Sequence, residues 1–581
     1  MKQFLKFTFA TIVGLIIFTI VGSLVMMGII GAVAASGDSP TVLKPNSIYQ
    51  LDLEGNLVDR SKDDSFERAF GQVYGNTTTS LGLDDVLANI EKAKSDANIV
   101  GIYLKGGALS GGYASIKEIR DALIDFKESG KFVVAYADSY SQRNYYLASV
   151  ADKIFLNPIG MLEWQGLASK TVFYKNTLEK LGIDMQVVRV GTFKSAVEPY
   201  TNTKMSDANK EQVTVYTKSI WNEIVNSISL SRRISPETLN SYADEALLYQ
   251  PTEKSLEYAL VDSLMYIDEA EKFIELYADS VNKATFVKHS AMKKVPSNAK
   301  YDKNKIAVIY AVGGIDTDAT EGIVSKDLVK DILKAADDES VKSVVFRISS
   351  PGGSAYGSEQ IWHALEVLKA KKPLIVSMGD YAASGGYYIA CGADSIFAQP
   401  NTITGSIGVF GIIPNIEGLN KKLGFDFDGV NTNKMSDMIS FNRAFTPEER
   451  VLMQSFVNKT YDLFTQRCAD GRGMTQDEIK AIAEGRVWTG EDAVKNGLVD
   501  GLANLQEVIR IAADKADLVS YRVVEYPEKE DFITQLMKSL DMESRLMKLR
   551  LGEHYETYLQ VSKFNKLNGI QARLPFEIIM N

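Results

Sequence analysis

The sequence predicts an α/β chain in which one domain is written twice behind an apolar N-terminal helix. Three observations predict it. Phe7 to Ala35 is a run of 29 residues without a charge. Residues 134–158 and 376–400 align without a gap at an offset of 242, with 10 of 25 positions identical. Within each matched half, β-rich apolar runs alternate with stretches of helical period.

The N-terminal element comes first. A helix of about 20 apolar residues spans a bilayer, so this run is long enough. Lys2 and Lys6 precede it and Asp38 follows it. The positive-inside rule then keeps the N-terminus in the cytoplasm and exports the rest. A cleaved signal peptide is the competing reading, because AVAASG at 32–37 ends in small residues. The apolar core of such a peptide is about 7–15 residues, and this run is about twice as long. A retained transmembrane anchor is expected over residues 1–36, with residues 7–35 in the lipid bilayer.

The duplication extends well beyond the first match. IRDALIDFKESGKFVVAYAD (119–138) parallels IWHALEVLKAKKPLIVSMGD (361–380) at the same offset. LGID (181–184) parallels LGFD (423–426), and ALVDSL (259–264) parallels GLVDGL (497–502). Self-similarity in several segments of one order marks a repeated unit. The hydrophilic stretch KKVPSNAKYDKNK (293–305) is the natural boundary. The expected units are a first repeat over 37–300, a second over 301–525, and a helical C-terminal tail over 526–581.

In the second repeat, KIAVIYAVG (305–313) reads as a buried strand. An amphipathic helix follows, with Leu328, Ile332 and Leu333 on one face. VKSVVFRIS is the next strand, then SPGG, then a helix from Ser358 to Lys369. PLIVSMGD is a third strand, a helix runs through Gly385–Gly392, and SIFAQP is a fourth strand. Strands separated by helices build βαβ units and a largely parallel sheet. The tail after Val524, FITQLMKSLDMESRLMKLRLGEHYETYLQV within it, has a charged amphipathic helical pattern.

Composition excludes several functions. The chain has 581 residues, 45% hydrophobic and 24% charged, which is globular usage. Its net charge of −10, with no basic run in the body, argues against nucleic acid as a partner. Two cysteines, Cys391 and Cys468, exclude a disulfide framework and a four-cysteine zinc site. The three histidines, His289, His363 and His554, are too scattered for a histidine-rich metal site.

Two glycine-rich turns of the second repeat each leave a strand and enter a helix: Ser349-Ser350-Pro351-Gly352-Gly353-Ser354 and Ala383-Ser384-Gly385-Gly386. Free backbone N–H groups at helix starts point at any anion placed there, so paired turns can form an oxyanion hole. Ser384, beside glycines that admit a substrate, has the surroundings of an exposed nucleophile. The competing reading makes Ser384 a helix cap. Comparison of the repeats bears on this. Ser384, Gly385 and Gly386 correspond to Gln142, Arg143 and Asn144, whereas Tyr387-Tyr388 and Tyr145-Tyr146 agree. Capping and packing alone would require the turn in both copies.

A nucleophilic serine needs a base. His363 lies on the helix after SPGGS, and His289 and His554 sit in polar, peripheral segments. The alternative is a lysine whose pKa burial has lowered. Lys194 in VGTFKSAVEPY and Lys434 in VNTNKMSDMIS hold matching places in the repeats, and spacing does not choose between them.

TFKSAVEPY, SPGGS, ASGGYY, TGSIGV (404–409) and VWTGEDAVKNGLVD (487–500) together resemble the signal peptide peptidase A (protease IV) family in its long, duplicated bacterial form. The resemblance implies two tandem crotonase/Clp-protease-like α/β domains and a serine endopeptidase with a Ser–Lys dyad. Carried over by residue, Ser384 is the nucleophile and Lys194, from the first repeat, its general base. Gly353 and Gly385 supply the oxyanion-hole amides, and Ser406 orients the lysine. Clp protease has a histidine on the strand after its serine, and TGSIGV has none, which agrees with a dyad. NTNKMSDMIS lacks the Ala-Val-Glu-Pro continuation, so the resemblance leaves Lys434 without a role. It further implies a homotetramer on the outer (periplasmic) face of the bacterial inner membrane that degrades cleaved signal peptides and other apolar peptides without metal or cofactor. Two other classes stand beside it: a crotonase-type acyl-CoA enzyme, and a non-catalytic membrane scaffold.

Overall fold

The computed structural model describes residues 2–37, 40–61, 80–278, 284–296, 302–318, 322–529 and 570–573. The apolar N-terminus forms one helix, Lys2–Gly37. Its described side chains Phe4, Phe7 and Phe18 stand 73%, 72% and 77% exposed. Among the residues with described side chains, no helix is long and apolar enough to cross a membrane. Most of the second half of the expected 7–35 span lies outside those side chains.

Each repeat folds around its own sheet, parallel in the first and parallel in the second except for the antiparallel edge strand Val487–Thr489. The first has seven strands, ordered Ser80–Gly82, Ser47–Val58, Ile99–Ser110, Phe132–Tyr140, Lys153–Leu162 and Ser263–Leu264, with Thr285–Lys288 also paired to Ser47–Val58. The second has eight, running Val487–Thr489, Ile403–Gly405, Leu374–Ala383, Val341–Ser350, Lys305–Val312 and Arg522–Tyr526; Ser395–Ala398 joins Leu374–Ala383 to Gly501–Leu502. Their inner strands are mostly apolar and largely buried, as a parallel sheet covered on both faces requires.

The same side chains brace both copies. Tyr145 Oη donates to Leu260 O at 2.9 Å, and Tyr387 Oη donates to Leu498 O at 2.8 Å. Ile154 N–H donates to Asp262 Oδ2, and Ile396 N–H to Asp500 Oδ2, both at 2.7 Å. Arg232 and Arg472 then close on those two aspartates. The tyrosines and the LVD segments that the repeats share are therefore scaffold.

A third, six-stranded sheet joins the repeats. Its order is Ile323–Val324, Ile315–Asp316, Gly352–Ser354, Ile570–Arg573, Val409–Asn415 and Asp184–Val190. Asp184–Val190 of the first repeat lies antiparallel to Val409–Asn415 of the second over seven paired positions. Residues 530–569 of the tail, where a helix was expected, lie outside the described residues, and the described piece Ile570–Arg573 is a strand. Gly352–Ser354, expected as a plain turn, is also a short strand.

Two expectations on side chains need correction. Leu328 and Ile332 are buried as expected, but Leu333 is 37% exposed; Ala335 and Ala336 complete the buried face of helix Ser325–Asp337. A stripe of period 3.6 reaches those alanines and rotates past Leu333. His289 is not peripheral. Tyr49 Oη lies 2.7 Å from its Nδ1, and burial pushes its pKa down to about 4. The strand Thr285–Lys288 carries it against the first sheet.

A buried ion cluster ties the repeats together. Arg347 of the second repeat pairs with Asp59 at 2.9 Å and Glu118 at 2.7 Å, both from the first. Asp380 accepts from Ser115 N–H at 3.0 Å and Ser115 Oγ at 2.6 Å. Burial raises the Glu118 carboxyl and Arg347 opposes that rise. Breaking such a pair leaves uncompensated buried charge, at a cost of about 3–5 kcal/mol. Arg347→Ala is expected to lower the urea unfolding midpoint by a loss of that size. An unchanged midpoint would show that the cluster contributes nothing to joining the repeats.

Candidate active site

Ser384 stands where strand Leu374–Ala383 turns into helix Gly385–Ala390. Its backbone has φ 56° and ψ −115°, outside the regions an L-residue favours. Such a conformation costs about 1–3 kcal/mol and persists only where the surroundings impose it. Here Ser384 N–H donates to Gly405 O at 2.8 Å, and Tyr388 N–H donates to Ser384 O at 2.8 Å. Its hydroxyl caps nothing on the helix it precedes. By contrast, Ser141 in the first repeat has φ −67° and accepts from Asn144 N–H, as an ordinary cap does. The cap reading therefore does not describe Ser384.

Lys194 arrives from the other repeat. The strand Asp184–Val190, held along Val409–Asn415, delivers it to the junction, and Gly191 at φ 111° turns the chain inward. Lys194 Nζ lies 2.7 Å from Ser384 Oγ, 2.9 Å from Ser406 O and 3.1 Å from Ser406 Oγ. All three residues are fully buried. Among the described residues the hydrogen-bond partners of Nζ are serine oxygens and not carboxylates, and burial drives its pKa well below the ordinary lysine value. A neutral amine has two N–H donors and one lone pair. An ammonium donating to all three oxygens satisfies these contacts, and so does a neutral amine that donates to the two Ser406 oxygens and accepts from the Ser384 hydroxyl.

The other sequence candidates divide. Ser406, at φ 50°, is held by its N–H donating to Arg486 O at 2.7 Å. Gly353 and Gly385 face one another: a Cβ on Gly385 would stand 3.1 Å from Gly353 N. Gly352, at φ 94°, could carry no side chain, since a Cβ would meet Ala572 O at 2.1 Å. Lys434 is elsewhere; its side chain is 73% exposed and paired with Glu448. The residues before it form no strand, so nothing carries it inward as Asp184–Val190 carries Lys194. His363 is exposed, and His554 lies outside the described residues. In the first repeat, Gln142 Oε1 accepts from Gln165 N–H and Gly166 N–H at 3.2 and 3.0 Å. The side chain that replaces the serine thus holds a loop.

Several site residues were not legible beforehand. Gln212 Nε2 donates to Phe193 O and Ser195 Oγ at 3.0 Å each, while Val487 N–H donates to its Oε1 at 3.1 Å. Phe193 N–H donates to Glu484 O at 2.8 Å, and a Cβ on Gly485 would stand 2.6 Å from Lys194 Cβ. The segment Glu484–Val487 of the second repeat thus closes over the lysine. Only the neighbouring motif from Val487 onward hinted at it.

The profile of peptidase family S49 matches residues 125–303 and 366–519. The chain is 36% identical over 540 residues to "Protease 4" of Salmonella typhi, covering 90% of this chain and 86% of that protein. It is 35% identical over 508 residues to "Protease 4" of Haemophilus influenzae, covering 84% and 82%. "Serine protease SPPA, chloroplastic" of Arabidopsis thaliana is 30% identical over 488 residues, covering 82% and 70%.

If Lys194 serves Ser384 as a base, a fluorophosphonate should label the chain, and the label should map to Ser384. Lys194→Ala should abolish labelling, whereas Lys434→Ala should retain most of it. The reverse pattern in those two variants would assign the activating amine to Lys434.

Proposed function

The chain belongs to peptidase family S49 and is a serine peptidase, and we propose that it degrades cleaved signal peptides and other apolar peptides through a Ser384–Lys194 dyad. The single observation that supports the dyad is the 2.7 Å contact between Lys194 Nζ and Ser384 Oγ in a junction closed to water. In this reading neutral Lys194 takes the hydroxyl proton as Ser384 attacks the scissile carbonyl, and an acyl-enzyme forms. The N–H groups of Gly353 and Gly385 hold the developing oxyanion. Ser406 fixes the amine through two contacts and so aims its lone pair. Lys194 then activates the water that hydrolyses the ester. The Clp-protease-like fold of each repeat is part of the proposal, supported by the parallel strand order and by the strain at Ser384.

The same reading anchors the chain in the bacterial inner membrane through residues 7–35, with the catalytic body on the periplasmic side. The charge-free run, the lysines before it and the exposed phenylalanines of helix Lys2–Gly37 support it. Assembly as a homotetramer is proposed too. Phe425, Phe427, Val430, Val451 and Phe456, exposed by 58%, 62%, 97%, 68% and 58%, supply apolar surface for such contacts.

Ser384→Ala should lower hydrolysis of an apolar signal-peptide substrate by about a thousandfold or more while leaving the unfolding midpoint in place. Activity within tenfold of wild type in a pure sample would remove the assignment. The base acts when neutral, so rate should rise with pH through an apparent pKa well below the free-lysine value of about 10.4. A limb that climbs as for a solvated lysine would contradict a buried amine. Deleting residues 1–36 should yield a protein that stays active and no longer sediments with membranes; continued sedimentation would refute the anchor.

A further inference from the structure

Gln212 lies in the second turn of helix Asp207–Arg232 of the first repeat and is buried. A buried side-chain amide needs partners for its N–H donors and its carbonyl. Within its own helix Gln212 Nε2 reaches Asn209 Oδ1 at 3.1 Å. Nε2 also donates to Phe193 O and Ser195 Oγ at 3.0 Å each, on the residues that flank Lys194. Oε1 accepts from Val487 N–H of the second repeat at 3.1 Å. The partners fix which way the amide points, because Phe193 O can only accept and Val487 N–H can only donate.

Both ends of that amide lead to the proposed site. Val487 pairs with Gly405 at the edge of the second sheet. Gly405 O accepts from Ser384 N–H at 2.8 Å, and Ser406, the next residue, places two oxygens on Lys194 Nζ. One side chain thus grips the backbone that carries the lysine and the strand that leads to the lysine's partners. The helix is tied to the lysine's segment a second time. Glu198, four residues after Lys194, accepts from Ser206 N–H at 3.1 Å and Asn209 Nδ2 at 2.9 Å.

The repeats differ at this position in a way that packing does not explain. Helix Pro447–Arg472 of the second repeat and helix Asp207–Arg232 of the first both have 26 residues, and each begins on a capping hydroxyl, Thr446 and Ser206. Gln212 is the sixth residue of one helix, and the sixth of the other is Leu452, 48% exposed. Lys434, at the matching place to Lys194, is exposed as well. A glutamine that served only its helix would be wanted in both copies. The amide is found in the copy whose lysine is buried.

We propose that Gln212 is a positioning residue for the Ser384–Lys194 pair, holding the lysine's segment in register with the second repeat so that Nζ meets Ser384 Oγ. The proposal rests on the dyad reading above. Gln212 acts through the backbone at Phe193 and the hydroxyl of Ser195, not on Nζ or Oγ. Without it the lysine's segment keeps its length and its burial but loses its alignment. A misplacement of about 1 Å at a reacting group costs about a hundredfold in rate.

Gln212→Met, similar in volume and without hydrogen-bonding groups for these partners, tests this in the full chain purified in detergent. Hydrolysis of an apolar signal peptide and fluorophosphonate labelling are both expressed per folded molecule, with the folded fraction read by near-UV circular dichroism. The expected result is a fall of about tenfold to a hundredfold in kcat and in labelling rate, with KM within about twofold of wild type. Gln212→Glu keeps the acceptor for Val487 N–H but, as a carboxylate, has no donor for Phe193 O or Ser195 Oγ. It should show the same fall, and it decides the matter where Gln212→Met does not fold. Wild-type kcat and labelling per folded molecule would reduce Gln212 to a packing residue and overturn the proposal. A rise in KM alone would place it in peptide binding and overturn it too. Lys194→Ala, measured alongside, separates the two readings. Activity in Lys194→Ala refutes the dyad and the positioning role with it. An inactive Lys194→Ala beside fully active Gln212 variants removes the positioning role and leaves the dyad.

Discussion

Desolvation of one amine is the constraint on which the rest depends. A lysine in water near neutral pH is charged and has no lone pair to offer a hydroxyl. Lys194 is fully buried with serine oxygens as its Nζ partners. Loss of hydration then favours the neutral form. A carboxylate beside it would restore the charge and remove its capacity as a base. The proposed dyad therefore requires the polar, uncharged lining made by Ser384 and Ser406. The segment Glu484–Val487 packs over the same lysine.

That burial needs two surfaces, and the duplication supplies them. The strand before Lys194 belongs to the first repeat and pairs with a strand of the second. The cluster of Arg347 with Asp59 and Glu118 fixes the two repeats relative to one another. Asp380 lies four residues before Ser384 and is bound to Ser115 of the first repeat, so the strand leading to Ser384 is itself braced across the junction. One productive junction leaves the other copies of these residues free to change. Gln142 has taken up a loop-holding role, and Lys434 stays at the surface.

The tail strand adds a structural cost and a structural use. Its pairing on both edges completes the joining sheet. The same pairing buries Ala572 against the glycines of the two glycine-rich turns. Those glycines are required for close backbone approach, since a Cβ at Gly352 would collide with the strand. Any peptide accepted there must likewise present backbone, which favours extended chains over folded ones.

The sequence alone determined the α/β class, the duplication and the identity of the turn that differs between copies. Period-two and period-3.6 patterns follow from local geometry, and a repeat offset needs no coordinates. Ser384 stood out because its neighbours Tyr387 and Tyr388 agree with the first copy while it does not. Spacing left Lys194 and Lys434 equal, and the family resemblance chose between them. Only the tertiary structure decided which lysine lies beside the serine, because that depends on a strand of one repeat pairing with a strand 225 positions later. It alone showed Gln212 and Glu484–Val487 around the amine and the strand Ile570–Arg573 in the joining sheet. Contacts between such distant segments leave no periodicity in the chain. Leu333 and His289 were misread for the same reason: which side of a helix or segment is covered is set by neighbours that the local sequence does not contain.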